Sequence, residues 1–257
     1  MMQFILICVI IFYMKNICLI LEYVGTNYCG FQKQKNGITV QEILENVIKE
    51  VTGEEVKTYP SGRTDAGVHA LGQVVNFFTS STIKPEKFEV VLNLHLPKDI
   101  RVKKSFLVDD DFNARGSAKQ KTYVYKIYNG KILSAFDQDR CLFCKYSLNI
   151  ENMQKACKLI EGEHDFSAFV ASNATTKTTV RTVYSATLEK QEDYLFFTIT
   201  GNGFLYNMVR ILVGTLIEIG RGKMTIDTFK TILDGGKRNQ AGKTVPPDGL
   251  YLKQVDY

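Results

Sequence analysis

The chain has 257 residues, 45% apolar and 23% charged, with no low-complexity tract. That excludes a disordered or fibrous protein and leaves room for one large domain or two halves around a shared sheet. The 32 Lys and Arg outweigh 27 Asp and Glu to give a net charge of +5, a mild basic excess compatible with a phosphate-bearing partner.

The chain opens with an apolar run from Phe4 to Tyr13. It is too short to span a bilayer, which takes about 20 residues. It lacks the preceding basic residue and the small-residue cleavage site of a signal peptide. Met14-Lys15-Asn16 then leads into a strand-like run, Ile17–Tyr23. Residues 1–13 therefore read as a dispensable apolar extension, with Met14 as the natural start. The competing reading is a membrane-interacting leader.

After a polar turn through Gly30, Thr39–Gly53 carries the clearest helical pattern: Val40, Ile43, Leu44, Val47, Ile48 and Val51 form one apolar stripe. Thr39 and Glu42 make a capping box, and Gly53 ends the helix. Strands are predicted at 56–60 and 73–79, a helix over 85–94 and a strand over 101–108. The order β-α-β-β-α-β is that of a ferredoxin-like split unit, a scaffold shared by many RNA-binding modules. Asp110–Arg115 reads as a hinge between an N-terminal half, 14–110, and a C-terminal half, 111–257.

In the second half, Lys119, Lys121 and Lys126 interleave with Tyr123, Tyr125 and Tyr128 along a strand over 121–128. Such a strand suits nucleic acid, with rings for bases and lysines for phosphates, or equally a tyrosine-rich face turned into the core. A helix over 149–161, strands over 180–190 and 194–200, an apolar helix over 206–220, a short helix over 225–233 and a strand over 249–255 complete the pattern. The doubled order predicts an α+β fold: two ferredoxin-like halves that join a continuous, mostly antiparallel sheet, helices on one face and a central cleft. Cys141 and Cys144 form a lone CxxC with no second pair to complete a zinc site, so free structural thiols are expected.

Between the strands at 56–60 and 73–79 lies Ser61-Gly-Arg-Thr-Asp65-Ala-Gly-Val-His69-Ala70. Two glycines give the backbone freedom and close approach, and Arg63, Asp65 and His69 bring charge and proton-transfer capacity to a loop held on strands. This segment resembles the active-site segment of the A-type tRNA pseudouridine synthases, whose Arg-Thr-Asp triplet carries the essential aspartate. Phe112-Asn-Ala-Arg115, Lys121-Thr-Tyr-Val-Tyr125, Gly162-Glu-His-Asp-Phe166, Asn207-Met-Val-Arg210 and Gly249-Leu-Tyr-Leu252 extend the resemblance over nearly all of 14–257.

The resemblance implies isomerisation of uridine to pseudouridine at positions 38, 39 and 40 of the tRNA anticodon stem-loop by a cytoplasmic homodimer with no cofactor and no metal. It makes Asp65 the catalytic carboxylate, attacking the base, attacking the sugar or removing a ribose proton. It makes Arg210 the partner of Asp65, Tyr123 the ring that stacks on the target base, Arg63 the side chain entering the space left by the flipped base, and Leu250 or, less favoured, Leu252 the apolar contact to the base. The apolar run around Arg210 itself argues against a freely solvated arginine. His69 is tempting as a general acid, but the chemistry does not call for one, and both it and His164 are expected to be structural. The competing reading of the whole is a noncatalytic RNA-binding module on the same scaffold, which has no use for a buried carboxylate. A third is a synthase acting on other positions or another RNA.

Overall fold

The computed structural model describes residues 14–171 and 176–257, so the expectation for residues 1–13 falls outside the described part. The fold is α+β: a ten-stranded, mostly antiparallel open sheet with five α-helices among the described residues. Strands β1 (Lys15–Tyr23), β3 (His69–Thr79), β4 (Ile100–Val108), β5 (Gln120–Tyr128), β7 (Gly162–Asp165), β8 (Val180–Gln191), β9 (Tyr194–Gly201) and β10 (Leu250–Asp256) run in the order β4-β1-β3-β10-β5-β9-β8-β7. Two short strands, β2 (Tyr59–Pro60) and β6 (Leu142–Phe143), pair with β3 and β5.

Helix α1 (Val40–Thr52) forms as its pattern predicts. Thr39 Oγ1 accepts the Glu42 N–H at its start, Gly53 closes it at φ 77°, and Val40, Leu44, Val47 and Ile48 are buried. Helix α2 (Phe88–His95) packs on β4, α3 (Ile150–Ile160) on β8, and α4 (Met208–Gly220) on β5, while α5 (Ile226–Leu233) lies against α3.

Three local expectations change. Residues 56–58 are not strand: the Thr58 N–H donates to Glu45 and its carbonyl accepts from Gln41, so side chains of α1 replace a ladder. Strand β3 begins at His69 and runs through Gly72, where a Cβ would meet the Lys253 carbonyl at 2.6 Å; the glycine marks the close passage of β10. Residues 85–87 form a 3₁₀ turn ahead of a shortened α2.

The arrangement that positions the site is the pairing of β10. It runs parallel to β3, with Tyr251 opposite His69 and Leu252 opposite Ala70, and antiparallel to β5, with Leu250 opposite Tyr125 and Leu252 opposite Tyr123. The last strand of the chain therefore lies between the exit of the Asp65 loop and the tyrosine-rich strand.

Candidate active site

The loop from Ser61 to Val68 is held from beneath by buried polar groups. Ser61 Oγ donates to Gln73 Oε1 at 2.6 Å, and Gln73 Nε2 donates to the Gly62 carbonyl at 2.8 Å. The Tyr23 hydroxyl meets Thr64 Oγ1 at 2.7 Å, and the Phe31 N–H donates to the Thr64 carbonyl at 3.1 Å. None of these bonds uses the Asp65 carboxylate. The sequence did not single out Gln73; a buried amide in an otherwise apolar strand was the available signal.

Gly30 fits the same purpose. Its φ is +89°, and a Cβ there would stand 2.6 Å from the Thr64 carbonyl. Gly30→Ala is therefore expected to cost about 2–4 kcal/mol through backbone strain and overpacking, lowering the melting temperature by roughly 5–15 °C. A melt within about 2 °C of wild type would mean that the loop yields easily at Thr64.

His69 holds both ring nitrogens in backbone contacts: Nδ1 accepts the Gly25 N–H and Nε2 donates to the Asp248 carbonyl, each at 3.0 Å. It is fully buried and stacks on Tyr251 at 4.6 Å. Burial, its dominant influence, lowers its pKa and keeps the ring neutral. His69 is a pin between β3 and the turn before β10, with no free nitrogen for proton transfer. His164 Nε2 donates to the Glu161 carbonyl at 3.1 Å, and the ring packs edge-on against Phe166.

Asp65 opens onto a cleft of about 890 Å3. Its side chain is 31% exposed and Arg210 Nη1 lies 3.9 Å from Oδ2. Burial pushes the carboxyl upward and the guanidinium opposes it without cancelling it. Arg210 is anchored elsewhere: Nε donates to the Val245 carbonyl at 2.8 Å and Nη1 to Asn207 Oδ1 at 2.7 Å. Asn207 stands at φ 60° just ahead of α4, a left-handed conformation that asparagine tolerates, which is why the helix begins at Met208 rather than at 206.

The same cleft receives Tyr123 and Leu250, whereas Leu252 is buried in the core outside it. Tyr123 sits edge-on to Phe204 at 5.2 Å, its hydroxyl without a hydrogen-bond partner among the described residues. Burial above all, then Tyr23 and Asp65, raises its pKa above the phenol range. Arg63 is exposed on the cleft wall with no polar partner among the described residues. The tyrosine-rich strand divides its labour. Tyr125 is core, fully buried with its hydroxyl on the Pro246 carbonyl, and Lys126 pairs with Asp137 away from the cleft.

Five cationic side chains line the cleft, Lys57, Arg63, Arg115, Lys121 and Arg181, and Asp65 is the one carboxylate among its described lining residues. Phe204 and Tyr206 add aromatic surface that the sequence reading did not assign. Among the described residues, no group of three or more His, Cys, Asp or Glu side chains is placed to hold a metal. Cys141 and Cys144 are buried free thiols. The arrangement offers an anionic group, partly shielded from water, in an otherwise cationic groove with exposed ring faces.

A family model described as tRNA pseudouridine synthase matches residues 19–115 and 156–257. Over 244 residues, 95% of this chain, the sequence is 50% identical to the tRNA pseudouridine synthase A of Acetivibrio thermocellus and covers 100% of it. The same protein of Thermoanaerobacter pseudethanolicus is 50% identical, and that of Clostridium botulinum 48%, each over 95% of this chain and 100% of the relative. A crystal structure of a Cbf5-Nop10-Gar1 complex superposes with a TM-score of 0.35 at 14% identity, covering 78% of this chain and 45% of that one.

Proposed function

This chain belongs to the tRNA pseudouridine synthase family, and from that premise we propose that it isomerises uridines 38, 39 and 40 of the tRNA anticodon stem-loop, with Asp65 as the essential carboxylate. The observation that carries the reading is Asp65, the single carboxylate among the described residues of a cleft that five of them line with positive charge, beside Tyr123 and Leu250. RNA phosphates match the cations, and the reaction needs one charged carboxylate at the sugar and base. The N-glycosidic bond breaks, C5 replaces N1 on the sugar, and the C5 proton leaves as N1 gains one; no electrons enter or leave.

In this reading Tyr123 stacks on the flipped base and Leu250 packs against it. Arg63, exposed and without a polar partner among the described residues, enters the stem in place of the base, and Arg210 keeps Asp65 ionised. The enzyme works as a cytoplasmic homodimer, without cofactor, and the halves 14–110 and 111–257 each supply one wall of the cleft. A noncatalytic RNA-binding module is the weaker reading, because ionised Asp65 is costly to bury and repels RNA. Mapping pseudouridine in unmodified tRNA treated with the purified protein tests the proposal: product at 38–40 is expected, and none there overturns it.

Tyr123 gives a separate test. Tyr123→Phe keeps the ring and its contact with Phe204, so RNA affinity should hold while turnover slows about tenfold through loss of a hydroxyl able to move the C5 proton. Tyr123→Leu should lose the stacking as well, about 1–3 kcal/mol. Single-turnover rates measured beside binding separate the two losses. A fully active Tyr123→Leu protein would show that this ring does not face the base.

A further inference from the structure

We propose that Arg115 and Lys121 form a clamp for one phosphodiester of the RNA backbone, on the cleft wall against the Asp65 loop. The inference rests on the functional reading above and extends it to a particular pair of side chains.

Lys121 projects from the start of β5 into the cleft, where Nζ donates to the Ser61 carbonyl at 2.7 Å. A Cβ on Gly62 would stand 3.2 Å from that nitrogen, so the ammonium lies directly on the loop that carries Asp65. Arg115 projects from a turn that is fixed on every side. Asn113 Oδ1 accepts the N–H groups of Arg115 and Gly116 at 3.0 and 2.9 Å. The Ala114 N–H donates to Asn76 Oδ1 at 2.9 Å, and the Tyr257 hydroxyl donates to the Ala114 carbonyl at 2.8 Å. The C-terminal residue thus fastens the turn, and Phe112 packs on the Tyr257 ring at 5.0 Å.

Both cations line the cleft, and neither has a carboxylate partner among the described residues. Elsewhere on the same strand, Lys126 does have one in Asp137. Arg115 and Lys121 are placed on one wall by their neighbours: Ala114 is hydrogen-bonded to Asn76, Asn76 pairs with Tyr59, and two residues on from Tyr59 is Ser61, whose carbonyl Lys121 holds. Burial, and then the charge of Arg115, lower the Lys121 pKa accordingly. Two like charges on one wall of the cleft repel in the free protein, and a monoanion between them removes that repulsion. A phosphodiester carries one such charge and offers two oxygens, one for the planar guanidinium and one for the ammonium. The Ser61 bond keeps Nζ in place, so phosphate binding at this point would also fix the loop and the register of the nucleotide presented to Asp65.

The test uses an anticodon stem-loop RNA with one neutral methylphosphonate linkage at a time, bound by wild type, Arg115→Gln, and the Arg115→Gln/Lys121→Gln double variant. One linkage beside the target uridine should weaken wild-type binding about tenfold, and the double variant should lose nothing further there. At every other linkage, both proteins should respond alike. Because Lys121 also touches the loop, Arg115→Gln alone, which leaves that bond intact, must reproduce part of the coupling. It should also lower the slope of log affinity against log salt by about 0.7. Equal losses for wild type and variants at all linkages would overturn the clamp while leaving the enzyme reading intact, provided wild type still forms pseudouridine in the unmodified stem-loop. A wild-type protein that neither binds nor modifies that RNA would overturn both.

Discussion

An Asp65→Asn protein is expected to bind the anticodon stem-loop at least as tightly as wild type and to form no detectable pseudouridine. The amide keeps the size and shape of the side chain but is a poor nucleophile and a poor base, so the chemical step fails whichever role the carboxylate plays. The loop survives, because its shape is set by Ser61, Gly62 and Thr64 through Gln73, Tyr23 and Phe31. Affinity survives because the five cations of the cleft carry it, and the lost negative charge removes a repulsion with phosphate.

The fold should survive as well. Breaking a tight buried ion pair costs about 3–5 kcal/mol, but the Asp65–Arg210 contact is 3.9 Å long, and Arg210 keeps its bonds to Val245 and Asn207. Burial raises the Asp65 pKa despite Arg210, so the folded chain holds this proton to higher pH than the unfolded chain does. Between the ordinary carboxylate value and the raised one, stability therefore falls as pH rises, and above that window the ionised carboxylate is a constant cost. Asparagine has no such cost. Its melting temperature at neutral pH should match or exceed that of wild type, and the difference should close in acid. Mass spectrometry of the RNA and thermal melts check both halves of the expectation. Turnover within about tenfold of wild type, a barrier change of only ~1.4 kcal/mol, would remove Asp65 from the chemistry.

How much of this was legible in the sequence depended on whether the determining contacts were local. Helix α1 was written in its own residues, with a cap at Thr39, a stripe through Val40 and Ile48, and a stop at Gly53. The Asp65 loop was equally plain, because turn chemistry and charge lie within ten residues. The meeting of Asp65, Tyr123 and Leu250 was legible only through the family resemblance, not from the residues themselves. It depends on β10, from the end of the chain, lying parallel to β3 through Tyr251 and Leu252, and no local pattern encodes a parallel partner. The lysines of β5 show the same limit. Lys121 and Lys126 look alike in sequence, yet strand alternation sends them to opposite faces. A distant loop then supplies Asp137 to Lys126, while Lys121 reaches the Asp65 loop. Residues 56–58 misled because β-branched residues suggested a ladder where Glu45 and Gln41 of α1 had already taken the backbone groups.

An Arg210→Met protein is expected to fold, to bind RNA, and to turn over about 100-fold more slowly at neutral pH, the scale of losing one preorganised charge beside the reacting group. Methionine keeps an apolar stem of similar length within the run from Phe204 to Val213, but it removes the donors to Val245 and Asn207 and the only cation within 4 Å of Asp65 among the described residues. The diagnostic effect is in the pH profile. Burial already lifts the Asp65 pKa and the guanidinium is the opposing influence, so removing it must move that pKa further up. If turnover requires ionised Asp65, the acid limb of kcat shifts to higher pH in the variant, and part of the lost rate returns as the pH is raised. Arg210→Lys keeps the charge without the fork that spans Val245 and Asn207. Its acid limb should stay near that of wild type while its rate falls for reasons of position. The two variants thus separate charge from geometry. An Arg210→Met profile that overlays wild type in shape, differing only in height, would mean that the guanidinium positions α4 and the 245–249 segment but does not govern the ionisation of Asp65.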